Sequence, residues 1–388
     1  MKLKHLFVAA IVALGFVACQ NDKAISNDVK SNTIEFRTLT SNQKRAQQRV
    51  AATTSTSIAD FRVYANHNGD AIENLDGFYI KGIEIVKNGT IWDYANPEEK
   101  TAWPSFETRD ALDFYSISPA TYSLSVKTSS LSIDNFVTNE DAKDQVDLLY
   151  AVNLNEACEA GNRTSAVAVK FEHALSQIAF NVVKTAACPY GEIRVNAARL
   201  VAIYPNGTFT LPLGVNTDID GAVVDATYEN WKLEAAARDT AKHYAAIINK
   251  DQAVTTTATA ATTVDGNLFV IPQNIKGWAR ETDKTNTALG AYILVDCNVR
   301  DNDGSYIWGD AYQYETVAVP VPANTVEGNV VWQPGVKYYY TLNFGKGIGF
   351  YPPTHDTKPG EPVIGNYIDF EVEVDTFTEG SDDEVLFY

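Results

Sequence analysis

The 388-residue sequence is poor in the side chains that do chemistry, with four cysteines, five histidines and a single methionine, the initiator. Cys19, Cys158, Cys188 and Cys297 form no CxxC or paired-ligand spacing, which argues against a zinc site or a disulfide framework. The histidines, at 5, 67, 173, 243 and 355, are too scattered for a metal cluster. HExxH, GxSxG and Walker A motifs are absent, and Gly345-Lys346-Gly347 lacks the upstream glycine and following Ser or Thr of a phosphate loop. No cofactor is expected, and the chain does not read as an enzyme. Basic residues are also scarce: 31 Lys+Arg face 49 Asp+Glu, a formal net charge of -18. So acidic a surface repels phosphate backbones, which removes nucleic acid as a general partner. Apart from one twelve-residue apolar run, Leu6 to Val17, no long hydrophobic stretch attracts notice. That run is about half of the roughly 20 residues a membrane-spanning helix needs.

The run follows a basic Met1-to-His5 segment and ends in Phe16-Val17-Ala18-Cys19, the pattern of an export signal rather than an anchor. It resembles a bacterial lipoprotein signal, which implies cleavage after residue 18, lipidation of Cys19 and tethering to the outer membrane. Phe16 stands where Leu is usual, and ordinary cleavage beside a stray cysteine is the alternative. Asn21 and Asp22 look like the short polar tracts of lipoproteins exported to the cell surface.

What the chain does have is apolar residues, 45% of the total with 11% aromatic, enough for a substantial core. It also has turn pairs that tolerate positive φ: Asn68-Gly69, Asp76-Gly77, Asn88-Gly89, Asn206-Gly207, Asp220-Gly221, Asp265-Gly266 and Asp303-Gly304. Between them run period-two stretches: Val167/Val169/Phe171, Ile178/Phe180/Val182, Ile293/Val295/Cys297/Val299 and Val317/Val319/Val321. Many short strands with regular turns predict an all-β chain of two tandem β-sandwiches. Ala-rich Trp231 to Lys250 is the exception, predicting a helix with Leu233, Ala236, Ala237, Tyr244, Ala245 and Ile248 on one face. Thr255 to Thr263 reads as a loop or edge strand. Lys184 to Gly191 is the least apolar central break, dividing the body into residues 46–186 and 187–350. Pro352, Pro353, Pro359 and Pro362 predict a stiff, extended linker within 351–388. His173, between apolar residues at a strand end, reads as a hydrogen-bonded structural histidine. The tryptophans are too dispersed to mark one sugar platform.

The two ends carry the most information. Thr33-Ile34-Glu35-Phe36-Arg37-Thr38-Leu39-Thr40 alternates, with Ile34, Phe36 and Thr38 on one face. Ser41 to Arg49 follows, polar and basic, the composition of an exposed protease-sensitive loop. Near the other end Ile368, Phe370, Val372 and Val374 again share one face of an alternating strand. Both ends therefore present an Ile-x-Phe strand that requires an apolar partner.

In this order the motifs resemble those of type V fimbrillins, the Mfa-like and major-fimbria pilins of Bacteroidetes. The features concerned are the lipoprotein signal, the Thr-Ile strand, Arg45-Ala46 in a Ser-Asn loop, and Phe61-Arg62-Val63-Tyr64-Ala65. They continue with Phe171-x-His173-Ala174-Leu175-Ser176-x-Ile178 and Trp332-x-Pro334-Gly335-x-Lys337-Tyr338-x-Tyr340-x-Leu342. Last come the Pro-rich segment, the alternating strand, Phe377 and the apolar end Val385 to Tyr388. Phe377 departs from the Trp common in the family. The resemblance implies transthyretin-like sandwiches, a signal at 1–18 and a lipidated propeptide at 19–45. It also implies an arginine-specific protease that cuts after Arg45, freeing Ala46, or at Arg49. The Ile34/Phe36/Thr38 strand would be displaced and replaced by the Ile368/Phe370/Val372/Val374 donor strand of an identical or related pilin subunit, head-to-tail. An outer-membrane precursor would thus become an extracellular fimbrium serving adhesion. A surface glycan-binding lipoprotein, keeping both strands in its own fold, is the competing expectation.

Overall fold

The computed structural model describes residues 33–38, 58–104, 111–157, 166–214, 224–234, 243–257, 259–260, 268–279, 290–321, 329–345, 347–364 and 369–376. In chain order the first ten strands are β1 (Phe36–Thr38), β2 (Asp60–His67), β3 (Ile80–Asn88), β4 (Ile91–Tyr94), β5 (Ala111–Ser118), β6 (Ser125–Lys127), β7 (Ser130–Val137), β8 (Leu149–Ala157), β9 (Val167–Val169) and β10 (Glu172–His173). The next seven are β11 (Ser176–Lys184), β12 (Glu192–Val201), β13 (Asn206–Thr210), β14 (Trp231–Leu233), β15 (His243–Ala253), β16 (Thr259–Ala260) and β17 (Leu268–Val270). The last seven are β18 (Asn274–Lys276), β19 (Tyr292–Arg300), β20 (Tyr306–Trp308), β21 (Glu315–Pro320), β22 (Asn329–Val331), β23 (Val336–Phe344) and β24 (Asp369–Thr376). Among the described residues the helices are four single 3-10 turns.

A six-stranded sheet, ordered β10-β8-β5-β2-β3-β4, organises the first half. Strand alternation sends its side chains to two buried faces. Phe61, Val63, Leu112, Phe114 and Leu149 point one way, toward Ile34, Phe36, Val167 and Val169 of β1 and β9. Tyr64, Tyr115, Ile117 and Tyr150 point the other way, onto Leu131, Ile133, Phe136, Phe209 and Trp231 of the sheet β14-β13-β7-β6. The second half stacks β16-β11-β23-β24 against β15-β12-β19-β20, with β17 on β11 and β21 on β19. Its core interleaves Ile178, Phe180, Tyr340 and Leu342 with Ile193, Val195, Ile293, Val295 and Val317.

Several sequence expectations change on contact with this architecture. Hydrogen bonding crosses Lys184–Gly191 in both directions: β11 pairs with β23, whereas β13, beyond the break, pairs with β7. No helix occupies the described part of Trp231–Lys250; Trp231–Leu233 and His243–Ala253 are strands, the latter paired with β12. Alanine is the best helix former, but propensity is a weak determinant, and pairing with β12 outweighs it. Asn206-Gly207 lies inside β13, where a Cβ on Gly207 would stand 3.0 Å from the Lys232 carbonyl and 3.3 Å from the Trp231 ring. The glycine serves close approach there, not a turn. Gly69 and Gly304, with φ of +81 and +85, are turn glycines as expected. Thr259–Ala260 is an edge strand on β11.

The prolines form no extended linker. Residues 349–363 double back, with Tyr351 N donating to Glu361 O, Gly360 N to Tyr351 O and Val363 N to Gly349 O. Phe350 is buried and bridges Ala318. Proline removes a donor but leaves carbonyls to accept, so a proline-flanked hairpin still closes on its non-proline residues.

Candidate functional site

Thr33 to Thr38 lies across an apolar face as a short strap. Its alternation turns Ile34 (0% exposed) and Phe36 (6%) inward and leaves Glu35 and Arg37 exposed. β1 runs parallel to β9, with Phe36 opposite Val167 and Thr38 opposite Val169. Two backbone bonds flank it: Val167 N donates to Glu35 O (2.7 Å) and Ile34 N to Thr101 O (2.9 Å). Thr33 also bridges Ala102, so the strap sits in a slot between β9 and the segment that follows β4.

The floor of the slot is aromatic. The Phe36 ring centre lies 6.1 Å from Phe61, 6.0 Å from Phe114 and 6.2 Å from Tyr94, with Trp103 against Phe114 at 5.8 Å. Edge-on aromatic contacts of this kind add to area burial. The rim is polar: Tyr94 Oη donates to Ile34 O (2.8 Å) and Trp92 Nε1 to Thr38 Oγ1 (3.2 Å). Burial pushes the Tyr94 hydroxyl up to about 12, so it stays a donor at neutral pH. Burying Ile34 and Phe36 contributes roughly 3 to 6 kcal/mol gross, at about 1.5 to 3 each. Only three residue pairs hold the strap to β9, so few backbone bonds resist its removal once the chain beside it is cut.

The expected strap residues Ile34, Phe36 and Thr38 are thus brought together with Trp92, Tyr94, Thr101, Ala102 and Trp103, which sequence reasoning did not single out. The signal available for them is three aromatic rings within twelve residues, Trp92, Tyr94 and Trp103. Cys19, Arg45, Ala46 and Arg49 lie outside the described residues, as does Ile368.

The second terminal strand does not stand apart. β24 pairs antiparallel with β23, setting Phe370 opposite Leu342, Val372 opposite Tyr340 and Val374 opposite Tyr338. β23 has β11 on one side and takes β24 on the other, at the end of the sheet. An alternating strand with unpaired backbone groups closes on the nearest open edge, here its own.

The other motif residues hold the fold. His173, 1% exposed, bonds through Nδ1 to Asp147 (3.0 Å), the structural role expected of it. Ser176 Oγ donates to Gln333 O (2.7 Å), Gly335 N to Leu175 O (2.9 Å) and Trp231 Nε1 to Ala174 O (2.8 Å). The Ser176–Gln333 and Gly335–Leu175 bonds join the two longest sequence motifs, and within the second Trp332 Nε1 donates to Tyr340 Oη (3.0 Å). Cys297 is buried and Cys188 half-buried, both free. Among the described residues no three His, Cys, Asp or Glu side chains gather as metal ligands.

A protein-family model described as fimbrillin-like matches residues 45–364. Among solved structures, a fimbrial protein from Bacteroides vulgatus is similar, with a TM-score of 0.54 at 17% identity over 89% of this chain and 99% of that one. Putative cell adhesion proteins from Bacteroides uniformis and Bacteroides ovatus each give 0.44 at 13%, covering 90% and 89% of this chain and 100% and 96% of theirs. At such identities the likeness is one of fold. No curated protein matches the sequence.

Proposed function

The chain belongs to the fimbrillin-like family, and from that premise we propose that it is a fimbrial subunit that polymerises by protease-triggered strand exchange. In this reading Cys19 carries the lipid that holds the precursor at the outer membrane. An arginine-specific protease cuts after Arg45, or at Arg49, and releases the strap. The donor strand of the next subunit, Ile368 to Val374, then fills the vacated slot. The observation that carries the reading is the strap itself: Ile34 and Phe36 plug an aromatic slot through a three-residue pairing. Both strands lie outside the 45–364 family match, as exchangeable ends would.

Arginine-specific digestion of the purified protein, followed by N-terminal sequencing and negative-stain imaging, tests it. The expected result is a new terminus at Ala46 and SDS-resistant filaments. Digested material that stays monomeric, or assembled fimbriae that retain Cys19 or Gln20 as first residue, would overturn it. The intrachain pairing of β24 favours the second reading, a surface glycan-binding lipoprotein that keeps both strands. That protein would stay monomeric after digestion.

A further inference from the structure

The exposed face of the sheet β15-β12-β19 carries a continuous chain of six side chains. Ile193, Val195 and Val299 belong to the core, so their neighbours Glu192, Arg194 and Arg300 project from the opposite face. Glu192 bridges two arginines, with Oε1 on Arg194 Nε (2.7 Å) and Oε2 near Arg300 Nη1 (3.3 Å). Arg194 Nη1 also donates to Asp251 Oδ2 (2.5 Å). A tyrosine closes each end: Tyr314 Oη bonds Asp251, and Arg300 lies over the Tyr306 ring, its Cζ 4.3 Å from the centroid.

Exposed ion pairs contribute little to stability, so stability alone does not account for six side chains held in this geometry. Glu192, Arg194 and Arg300 are each about one-third exposed and Asp251 about half. Two cations and two carboxylates make the group neutral, an island on a chain of net charge -18. A further ring lies two residues before Tyr314 in the chain. Tyr312, 98% exposed, sits on the tight connection between β20 and β21, where Asp310 Oδ1 accepts from both Tyr312 N (2.7 Å) and Gln313 N (2.8 Å). The turn thus holds a large apolar ring in water.

We propose that this face binds a neutral oligosaccharide. A pyranose offers hydroxyls that both donate and accept, which fixed guanidinium and carboxylate pairs match simultaneously. Its apolar C–H face packs on an aromatic ring, the role assigned here to the exposed Tyr312. An acidic glycan would meet no net positive charge and a strongly acidic protein around it. The site is independent of strand exchange, because it uses the second sandwich alone and needs no processing.

The test is a glycan microarray of neutral and sialylated oligosaccharides probed with the intact, undigested chain, followed by titration of the best neutral ligand. Neutral oligosaccharides are expected to be retained, and the double variant Tyr312→Ala/Arg194→Gln to bind at least tenfold more weakly with an unchanged melting curve. Should the double variant fail to fold, Tyr312→Ala alone, which removes almost no buried surface, is expected to weaken binding at least threefold. Retention of no neutral glycan, preference for sialylated ones, or undiminished binding by the variant overturns the proposal. Filament formation after digestion is scored separately and bears only on strand exchange.

Discussion

Phe36 is a core residue of the folded precursor and, if the strap is cut away, absent from the mature subunit. The two states therefore respond differently to the same substitution. Phe36→Ala should destabilise the uncut chain by about 3 to 5 kcal/mol, the usual cost of emptying a buried Phe site. Denaturant unfolding after cutting at Arg45 should give the same curve for variant and wild type. A strap-independent stability loss would mean that the residue acts elsewhere. A second residue-scale prediction concerns Glu172, whose carboxyl burial pushes up from 4.5 against the opposing pull of Lys170 at 2.6 Å; Asp225 adds to the rise and His173 counters it. A raised folded value means that the native state holds the proton more tightly than the unfolded chain. This stability is full below about pH 4.5 and lost as pH climbs through the folded value. Relative to wild type, Glu172→Gln should gain stability between pH 4.5 and 7.5. Thermal melts at both values that move in parallel would count against that assignment.

Elements were legible where alternation was strict and illegible where pairing was decided at long range. The alternating residues of Val167–Phe171, Ile178–Val182, Ile293–Val299 and Val317–Val321 are buried as expected, all in strands except Phe171 and Val321 at the strand ends, because period two and a buried face leave one solution. Trp231–Lys250 misled, since a run of alanines satisfies helical and extended patterns alike and the deciding partner, β12, lies elsewhere in the chain. The proline segment misled for a related reason: its closure depends on bonds from Tyr351, Gly360 and Val363 that composition does not reveal. The slot was half legible. Ile34 and Phe36 declared themselves by spacing, but their partners Thr101 and Tyr94 are more than fifty residues away. For β24 the pairing on β23 poses a question that Phe370→Asp answers. β23 keeps β11 on its other side, so the variant monomer should remain folded and be processed normally. Placing an unpaired carboxylate in a neighbour's slot should cost several kcal/mol and abolish SDS-resistant ladders. A monomer that unfolds would make β24 part of its own core, and ladders that persist would place the donor elsewhere.

At the scale of the whole molecule, the proposed exchange would seat the strand at one end of a chain in the slot near the other end of its neighbour, a heterologous contact that builds an open filament when successive rotations do not close a ring. Cutting the strap then has two linked consequences. It uncovers the face formed by Phe61, Tyr94, Trp103 and Phe114, and it removes roughly 3 to 6 kcal/mol of gross burial. Typical domains have only about 5 to 15 kcal/mol of net stability, so the trimmed monomer should melt well below the precursor. A ligand that fills the slot restores the loss, by about 2.7 kcal/mol at a hundredfold excess over its dissociation constant. A synthetic peptide of residues 366–378 is therefore expected to raise the melting midpoint of the trimmed monomer and to cap it against polymerisation. The same peptide carrying Phe370→Asp should do neither. The precursor, its slot occupied by Ile34 and Phe36, should ignore both peptides. If the wild-type peptide stabilises precursor and trimmed chain equally, it binds a site present in both, such as the edge of β23, and the vacated slot is not where the donor strand goes.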